Sequence, residues 1–163
     1  SLTTPILMQL LRAKISWDNI VVMMQREVAD RLNAEIGTKA YGVLTLTIQY
    51  YAQAQLAIKV PASAFNPSPN VDSAVVMLTP IVPETVVDNP DKLFSVVKGS
   101  FAHRRKSLWN NMLQMFGKQE DVKQRIQDAL DSVNIASSIR AERLSLNQLT
   151  ALYEALKLQG LIK

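Results

Sequence analysis

Patterns typical of β-strands occur only in the first half of this chain of 163 residues. They are the apolar run 20–24 (IVVMM), the alternating segment 55–60 (QLAIKV) and the run 73–79 (SAVVMLT), which are rich in β-branched residues. The continuous apolar character of 20–24 predicts a strand that is buried on both faces. Because no such pattern follows Pro90, we expect a three-stranded α/β piece, followed by a small all-α domain.

Helical spacing of apolar residues fills most of the remaining chain. It predicts helices over 5–14, 25–33 and 119–133, one long helix from Pro90 to about Phe116, and a last helix over 145–158. Ser145 and Gln148 have the spacing of a capping box at the start of that last helix. Residues 43–53 fit neither period well and leave strand and helix open. The Pro-containing segment 81–89 is interpreted as a linker between a first domain, 1–80, and a helical domain, 90–163.

The positive charge of the chain is concentrated in one segment. The formal net charge is +4, yet residues 98–118 hold five basic side chains and no acidic one, with His103, Arg104, Arg105 and Lys106 in sequence. A local run of this kind favours a polyanionic partner, and arginine suits two-pronged contacts to phosphate. The competing interpretation is an ordinary solvated basic face.

Several classes of function are excluded by residue type. The chain has no cysteine and only one histidine, so a thiolate nucleophile and a histidine-rich metal site are ruled out. It contains neither a glycine-rich dinucleotide loop nor a Walker motif. It has no apolar run of about 18 residues and no signal peptide pattern. The residues alone therefore predict no catalytic group, bound cofactor or metal, no membrane partner, and a cytoplasmic location.

The stretch 65–78, FNPSPNVDSAVVML, places an aromatic residue at the mouth of a stiff loop. Pro67 and Pro69 fix their own backbone angles and bias the preceding residues toward extended geometry. Such a loop holds Phe65 still, which suits the presentation of a flat ring to a ligand. The alternative interpretation is that Phe65 caps the apolar core, as most aromatic residues do.

An ordered set of motifs resembles one enzyme family. The set consists of QREVADRL at 25–32 after the strand IVVMM, KAYG at 39–42, VPASAFNPSPNVDSAVV at 60–76 and FAHRRKSL at 101–108. It resembles the ribosomal RNA adenine dimethyltransferases of the KsgA type, to which the erythromycin-resistance methyltransferases are related. The resemblance extends over nearly the whole chain, and the Arg-Arg-Lys segment favours the KsgA type.

The resemblance implies a remnant of a Rossmann-like methyltransferase sheet followed by a helical RNA-recognition domain. In that family the glycine-rich cofactor loop and the catalytic Asn-Leu-Pro-Tyr motif precede a Ser/Thr-Pro helix start, which Ser1 to Pro5 resemble. The chain is then expected to be the C-terminal part, inactive alone and unable to bind S-adenosylmethionine. A processed or tag-cleaved start is the alternative. The full protein would dimethylate two adjacent adenosines near the 3′ end of small-subunit rRNA within a pre-ribosomal particle.

The resemblance also assigns expected roles to single residues. Phe65 matches the position thought to stack on the target adenine, and the expected RNA-facing residues are Lys39, Tyr41, Lys98, Arg104, Arg105 and Lys106. The strand 73–79 is expected between the other two and antiparallel to them, and 43–53 becomes a helix. The strand 20–24 would be an uncovered edge where a second copy can pair. Gly99 departs from the family, which has a helix former there.

Two other functions stay open at this stage. The chain can be a non-catalytic ribosome-assembly or RNA-binding module that kept the fold for docking alone. It can also belong to a resistance methyltransferase that acts on large-subunit rRNA. An assay of the full-length protein on small-subunit particles and on free large-subunit rRNA distinguishes the three.

Overall fold

The computed structural model describes residues 3–13 and 16–163, which form two compact units. Residues up to Glu35, together with Leu44–Pro83, make the α/β unit, and Ile36–Val43 together with Glu84–Lys163 make the helical unit. The helices are α1 (Thr3–Arg12), α2 (Arg26–Leu32), α3 (Val43–Tyr51), α4 (Pro90–Ser100), α5 (Leu108–Phe116), α6 (Glu120–Ser132) and α7 (Leu146–Leu158). The predicted end of the first helix, at residue 14, lies outside the described residues. No helix in the described ranges is long and apolar enough to span a membrane.

Three antiparallel strands form the sheet of the α/β unit, β1 (Ile20–Gln25), β2 (Ala52–Val60) and β3 (Ser73–Pro80). Their order is β1-β3-β2, with Val22 opposite Val76 on one side of β3 and Ala54 opposite Leu78 on the other. The expected central, antiparallel position of the third strand is therefore confirmed. So is the expected fold class, a three-stranded sheet with helices followed by a helical region.

Only one face of this sheet carries the core of the unit. In the described residues the core cluster joins side chains of α1, α2 and α3 to the sheet residues Met24, Ala52, Ala54, Val76 and Leu78. The opposite face exposes Val21 (61%), Met23 (52%) and Ile58 (57%). The prediction that 20–24 is buried on both faces is therefore wrong. The apolar run is continuous, but in the described part of the chain no helix covers its second face.

In the helical unit, α4 and α7 each begin at a residue whose side chain caps the helix. The side chain of Asn89 accepts a hydrogen bond from the backbone N–H of Lys92, with Pro90 in the first turn of α4. Ser145 and Gln148 form the expected capping box of α7. α4 packs against α5 and α7, and α6 packs against α5 and α7, so the four helices share one apolar interior.

The prediction of one continuous helix from Pro90 to Phe116 is wrong. α4 ends at Ser100, a turn follows over 101–107, and α5 begins at Leu108. Ser107 caps α5, because its side chain accepts a hydrogen bond from the N–H of Asn110. The backbone N–H groups of Leu108 and Trp109 donate to the carbonyls of Ile139 and Ser137, at 2.6 and 3.0 Å. These bonds replace the bonds that a continuous helix would have made there.

Gly99 has a packing reason that the sequence did not reveal. A Cβ added at this position would lie 2.3 Å from Sδ and 2.7 Å from Cγ of Met115. The close approach of α4 to α5 therefore excludes a larger residue unless Met115 moves. The helix former expected at this position would collide with the Met115 side chain as it is placed here.

Candidate nucleic-acid interface

The basic run lies in the reversal between α4 and α5, which we call the cationic turn (residues 103–106). Its backbone is folded by two local hydrogen bonds, from Ala102 N–H to the Gly99 carbonyl and from Lys106 N–H to the His103 carbonyl, at 3.3 and 3.0 Å. All four side chains are exposed. A turn spreads successive side chains in different directions, so the arrangement differs from the helical face that we had predicted.

The buried side chain of Asn111 fixes the backbone of the cationic turn by hydrogen bonds. Its side-chain oxygen accepts the N–H of His103 at 3.1 Å, and its amide nitrogen donates to the carbonyls of His103 and Ser107 at 3.1 and 3.2 Å. The residue is 1% exposed. Although Asn111 is a polar residue close to the basic run in sequence, the structure places it beneath the turn. Its amide satisfies backbone groups that the interrupted helix leaves unpaired.

Arg140 joins the cationic turn at a surface cavity of about 520 Å³ that is lined by His103, Arg104, Arg105, Lys106 and Arg140. No carboxylate lines it. Arg105, Lys106 and Arg140 also form no salt bridge among the described residues, so their charges are available to an anion. Arg140 was missed by sequence reasoning because it is 34 positions beyond Lys106, in a segment without periodicity. The backbone bonds from Leu108 and Trp109 to Ile139 and Ser137 bring this segment to the turn.

Arg104 differs from its neighbours because a carboxylate lies beside it. Its Nη2 is 3.4 Å from Oε2 of Glu142, and its guanidinium lies 5.5 Å from the centre of the Phe101 ring. Residues 98–118 hold no acidic side chain, but Glu142, 38 residues further along the chain, pairs with Arg104.

Lys39 and Tyr41 lie in the segment Ile36–Val43, which belongs to the helical unit and which we call the anchored loop. Lys39 is exposed, as expected. Tyr41 is not on the surface: it is 2% exposed, and its hydroxyl donates to the Leu144 carbonyl at 2.5 Å. Burial raises the pKa of the Tyr41 hydroxyl to about 12. The side chain that we had expected to face RNA therefore serves to fix the loop.

Phe65 belongs to the α/β unit and follows a short 3₁₀ turn, Ala62–Ala64. Its N–H donates to the Ala62 carbonyl at 3.2 Å, and its own carbonyl accepts the hydroxyl of Ser68 at 3.1 Å. The ring is half-buried and lies outside the core cluster of the unit, as far as the structure describes it. Lys98, the remaining predicted RNA contact, is exposed in the last turn of α4.

The cationic cavity suits neither a metal ion nor S-adenosylmethionine. Among the described residues no group of three or more His, Cys, Asp or Glu side chains is placed to hold a metal ion. The sulfonium and ammonium groups of S-adenosylmethionine are positive, so a cavity lined by three arginines, a lysine and a histidine repels them. What this cavity suits is an anion with several oxygens, such as a phosphate of nucleic acid.

Comparison with known proteins identifies the family. The family model described as ribosomal RNA adenine dimethylase matches residues 1–157. The chain belongs to the ribosomal RNA adenine dimethylase family, as the resemblance implied. It is 99% identical over 162 residues to a protein of Leuconostoc citreum and 71% identical over 160 residues to one of Leuconostoc mesenteroides, each called ribosomal RNA small subunit methyltransferase A.

The chain spans about half the length of these relatives, 55% and 54%. Solved structures resemble its fold. A dimethyladenosine transferase from Plasmodium falciparum superposes with a TM-score of 0.85 at 23% identity, over 98% of this chain and 64% of that one. The 23S rRNA methyltransferase ErmE gives a TM-score of 0.64 at 22% identity, over 96% and 62%. At such identities these likenesses concern the fold alone.

The Tyr41 hydroxyl yields a prediction about stability. Tyr41→Phe should lower the free energy of unfolding at pH 7 by about 1–3 kcal/mol, because the Leu144 carbonyl loses its donor inside the protein. This hydroxyl releases its proton near pH 12 when folded, against 10.0 ordinarily. The contribution is thus complete below pH 10 and is lost as the pH rises toward 12.

Chemical denaturation of wild type and Tyr41→Phe at pH 7, 9 and 11 measures this contribution. The difference between the two proteins should shrink by on the order of 1–2 kcal/mol between pH 9 and 11. A difference that is constant across this range would show that the hydroxyl is not buried in the way that the structure describes.

Proposed function

We propose that this chain is the C-terminal, RNA-recognising part of an S-adenosylmethionine-dependent rRNA adenine dimethyltransferase. Its substrate would be two adjacent adenosines near the 3′ end of small-subunit rRNA, within a pre-ribosomal particle. Three findings support the proposal: the family membership, the name that the Leuconostoc relatives share, and the share of their length that the chain covers. The catalytic and cofactor-binding groups would lie in the part of the relatives that this chain does not match.

The single observation that carries an RNA-binding role is the cationic cavity. Arg105, Lys106 and Arg140 converge on it, and no described carboxylate neutralises them. One arginine guanidinium can donate two parallel hydrogen bonds to a phosphate, whereas lysine contributes a mobile point charge. Such contacts fix the register of an RNA without reading its sequence. Lys98, in the last turn of α4, and Lys39, in the anchored loop, are further exposed cationic side chains of the helical unit.

Phe65 would contact the target base itself. A methyl transfer to an exocyclic amine needs the adenine out of its stack, and a flipped base is held by stacking on an aromatic ring. The loop from Ala62 to Asp72 suits this role because the backbone N–H and the backbone carbonyl of Phe65 are both hydrogen-bonded within it. These bonds fix the backbone that carries the ring. In this proposal Phe65 supplies one wall of the pocket, and the catalytic motif of the whole protein supplies the other.

The cationic cavity is tested by binding of the full 163-residue chain to a labelled RNA copy of the 3′ end of small-subunit rRNA. Arg105→Ala and Lys106→Ala should each weaken binding up to about tenfold, corresponding to about 1.4 kcal/mol. Each should also lower the slope of log K against log salt by about 0.7–0.9, since one phosphate contact is lost.

Lys118→Ala is the matched control, because Lys118 lies beyond the opposite end of α5. It should leave both the affinity and the salt slope close to those of wild type. Binding that does not respond to salt, or that responds equally to Lys118→Ala, would contradict the cationic cavity as the RNA site.

The role of Phe65 is tested in a whole protein, the Leuconostoc citreum relative, at the matching position. Phe65→Leu should reduce methylation of small-subunit particles about 5- to 150-fold, which corresponds to the roughly 1–3 kcal/mol of one base stack. Phe65→Tyr keeps a ring and should restore most of the activity. Equal activity of the Leu and Tyr variants, with unchanged thermal stability, would show that Phe65 does not stack on the base.

The same assay addresses the alternatives and the state of this chain. The 163-residue chain should methylate no RNA and give no heat of binding with S-adenosylmethionine in calorimetry. Methylation of free large-subunit rRNA by the whole protein would instead indicate a resistance-type enzyme. Methylation of neither RNA would indicate a docking module.

A further inference from the structure

The anchored loop is attached to the helical unit at three points around Lys39. The Gly37 N–H donates to the backbone carbonyl of Glu142 at 2.8 Å, and Arg104 Nη2 approaches the Thr38 carbonyl at 3.5 Å. On the other side of Lys39, the Tyr41 hydroxyl is bonded to the Leu144 carbonyl. The backbone that carries Lys39 is therefore fixed while its side chain stays exposed.

Arg104 is the side chain that connects the cationic turn to this loop. Its guanidinium contacts Glu142 and the Thr38 carbonyl and lies against the Phe101 ring. It also passes close to Gly42, where an added Cβ would be 3.1 Å from Arg104 Nη1. The guanidinium is thus engaged by several groups of its own chain while it stays partly exposed, whereas Arg105, Lys106 and Arg140 form no described salt bridge.

We propose that Arg104 and Glu142 are positioning residues, which hold the anchored loop so that Lys39 contacts a phosphate of the bound RNA. Arg104 then contributes to recognition mainly through Lys39, and the phosphates bound in the cavity are contacted by Arg105, Lys106 and Arg140. This inference rests on the RNA-binding function proposed above and assigns Glu142 a part in it. The ring of Phe101 supports the arrangement from below, since it is buried and also packs against Tyr41, with 6.3 Å between ring centres.

The sign of one substitution separates this proposal from a purely electrostatic account. Glu142 is an acidic side chain near a site for a polyanion, so its removal should by simple Coulomb attraction strengthen RNA binding. If Glu142 positions Arg104 and thereby Lys39, its removal should weaken binding instead. Glu142→Gln suits the test because it keeps the size of the side chain and leaves the backbone bond to Gly37 in place.

The experiment measures RNA affinity and salt slope for the full chain with the same labelled RNA. Lys39→Ala should weaken binding about fivefold, the typical net effect of losing one hydrogen-bonded contact, and lower the salt slope by about 0.7–0.9. Glu142→Gln should weaken binding about twofold to fivefold and lower the slope in the same direction. In the Lys39→Ala background, Glu142→Gln should cause no further weakening, because the residue on which it acts is gone.

A conservative variant checks the role of Arg104. Arg104→Lys keeps the charge but loses the planar fork that reaches Glu142 and Thr38 together. It should bind as weakly as Glu142→Gln. If Arg104 is instead a plain charge in the cavity, the lysine variant should bind about as well as wild type.

The outcomes separate failure of this inference from failure of the proposed function. Arg105→Ala reports on the cavity alone, so if it leaves RNA binding unchanged, the proposed function fails. If Arg105→Ala weakens binding while Glu142→Gln strengthens it, or while Lys39→Ala leaves it unchanged, only the positioning role is overturned. Because Lys39 is exposed, Lys39→Ala should fold. This variant still tests the positioning role if Glu142→Gln is unstable in thermal unfolding.

Discussion

The buried amide of Asn111 determines the geometry of the helical unit at its most charged point. Three hydrogen bonds from one side chain satisfy the backbone of a turn that interrupts an otherwise helical run. An unpaired buried amide or carbonyl costs about 1–3 kcal/mol, so the turn depends on this residue. This turn brings Arg104, Arg105 and Lys106 to one cavity together with Arg140.

The same turn shows where sequence reasoning succeeds and where it stops. Local signals were reliable: Ser145 with Gln148 predicted a capping box, and the helix predicted to begin at Pro90 begins there. The break at Phe101 was missed because the apolar spacing from Leu93 through Leu108 fits a continuous helix. What breaks the helix is a set of bonds to Ser137 and Ile139, about 30 residues further along the chain.

The same limit applies to the site residues: local patterns identified several of them but not their distant partners. The basic run, Lys39 and Phe65 could be named from their types and order. The partners Glu142 and Leu144 could not, since they are separated by 38 and 103 residues from Arg104 and Tyr41. Tyr41 illustrates the consequence: the family resemblance implied an RNA-facing side chain, but a carbonyl contributed from far along the chain holds its hydroxyl inside the protein. Long-range pairs of this kind decide which charges remain available to a ligand.

The α/β unit belongs to a chain that spans about half the length of its relatives. Its sheet has one face packed by α1, α2 and α3, while the other exposes Val21, Met23 and Ile58 in the described residues. The Phe65 loop extends from this unit with its own hydrogen bonds. Recognition of RNA by the charged helical unit and placement of a base by the α/β unit are thus assigned to different parts of the chain in our account.

The most direct test maps the RNA on the protein residue by residue. The ¹⁵N-labelled 163-residue chain is titrated with an RNA copy of the 3′ end of small-subunit rRNA, and amide shifts are followed by NMR. Our account expects the largest shifts at residues 37–42, at 103–106 and at Arg140, with little change in α6. Largest shifts in α6 or on the exposed face of the sheet, with the cationic turn unchanged, would contradict it.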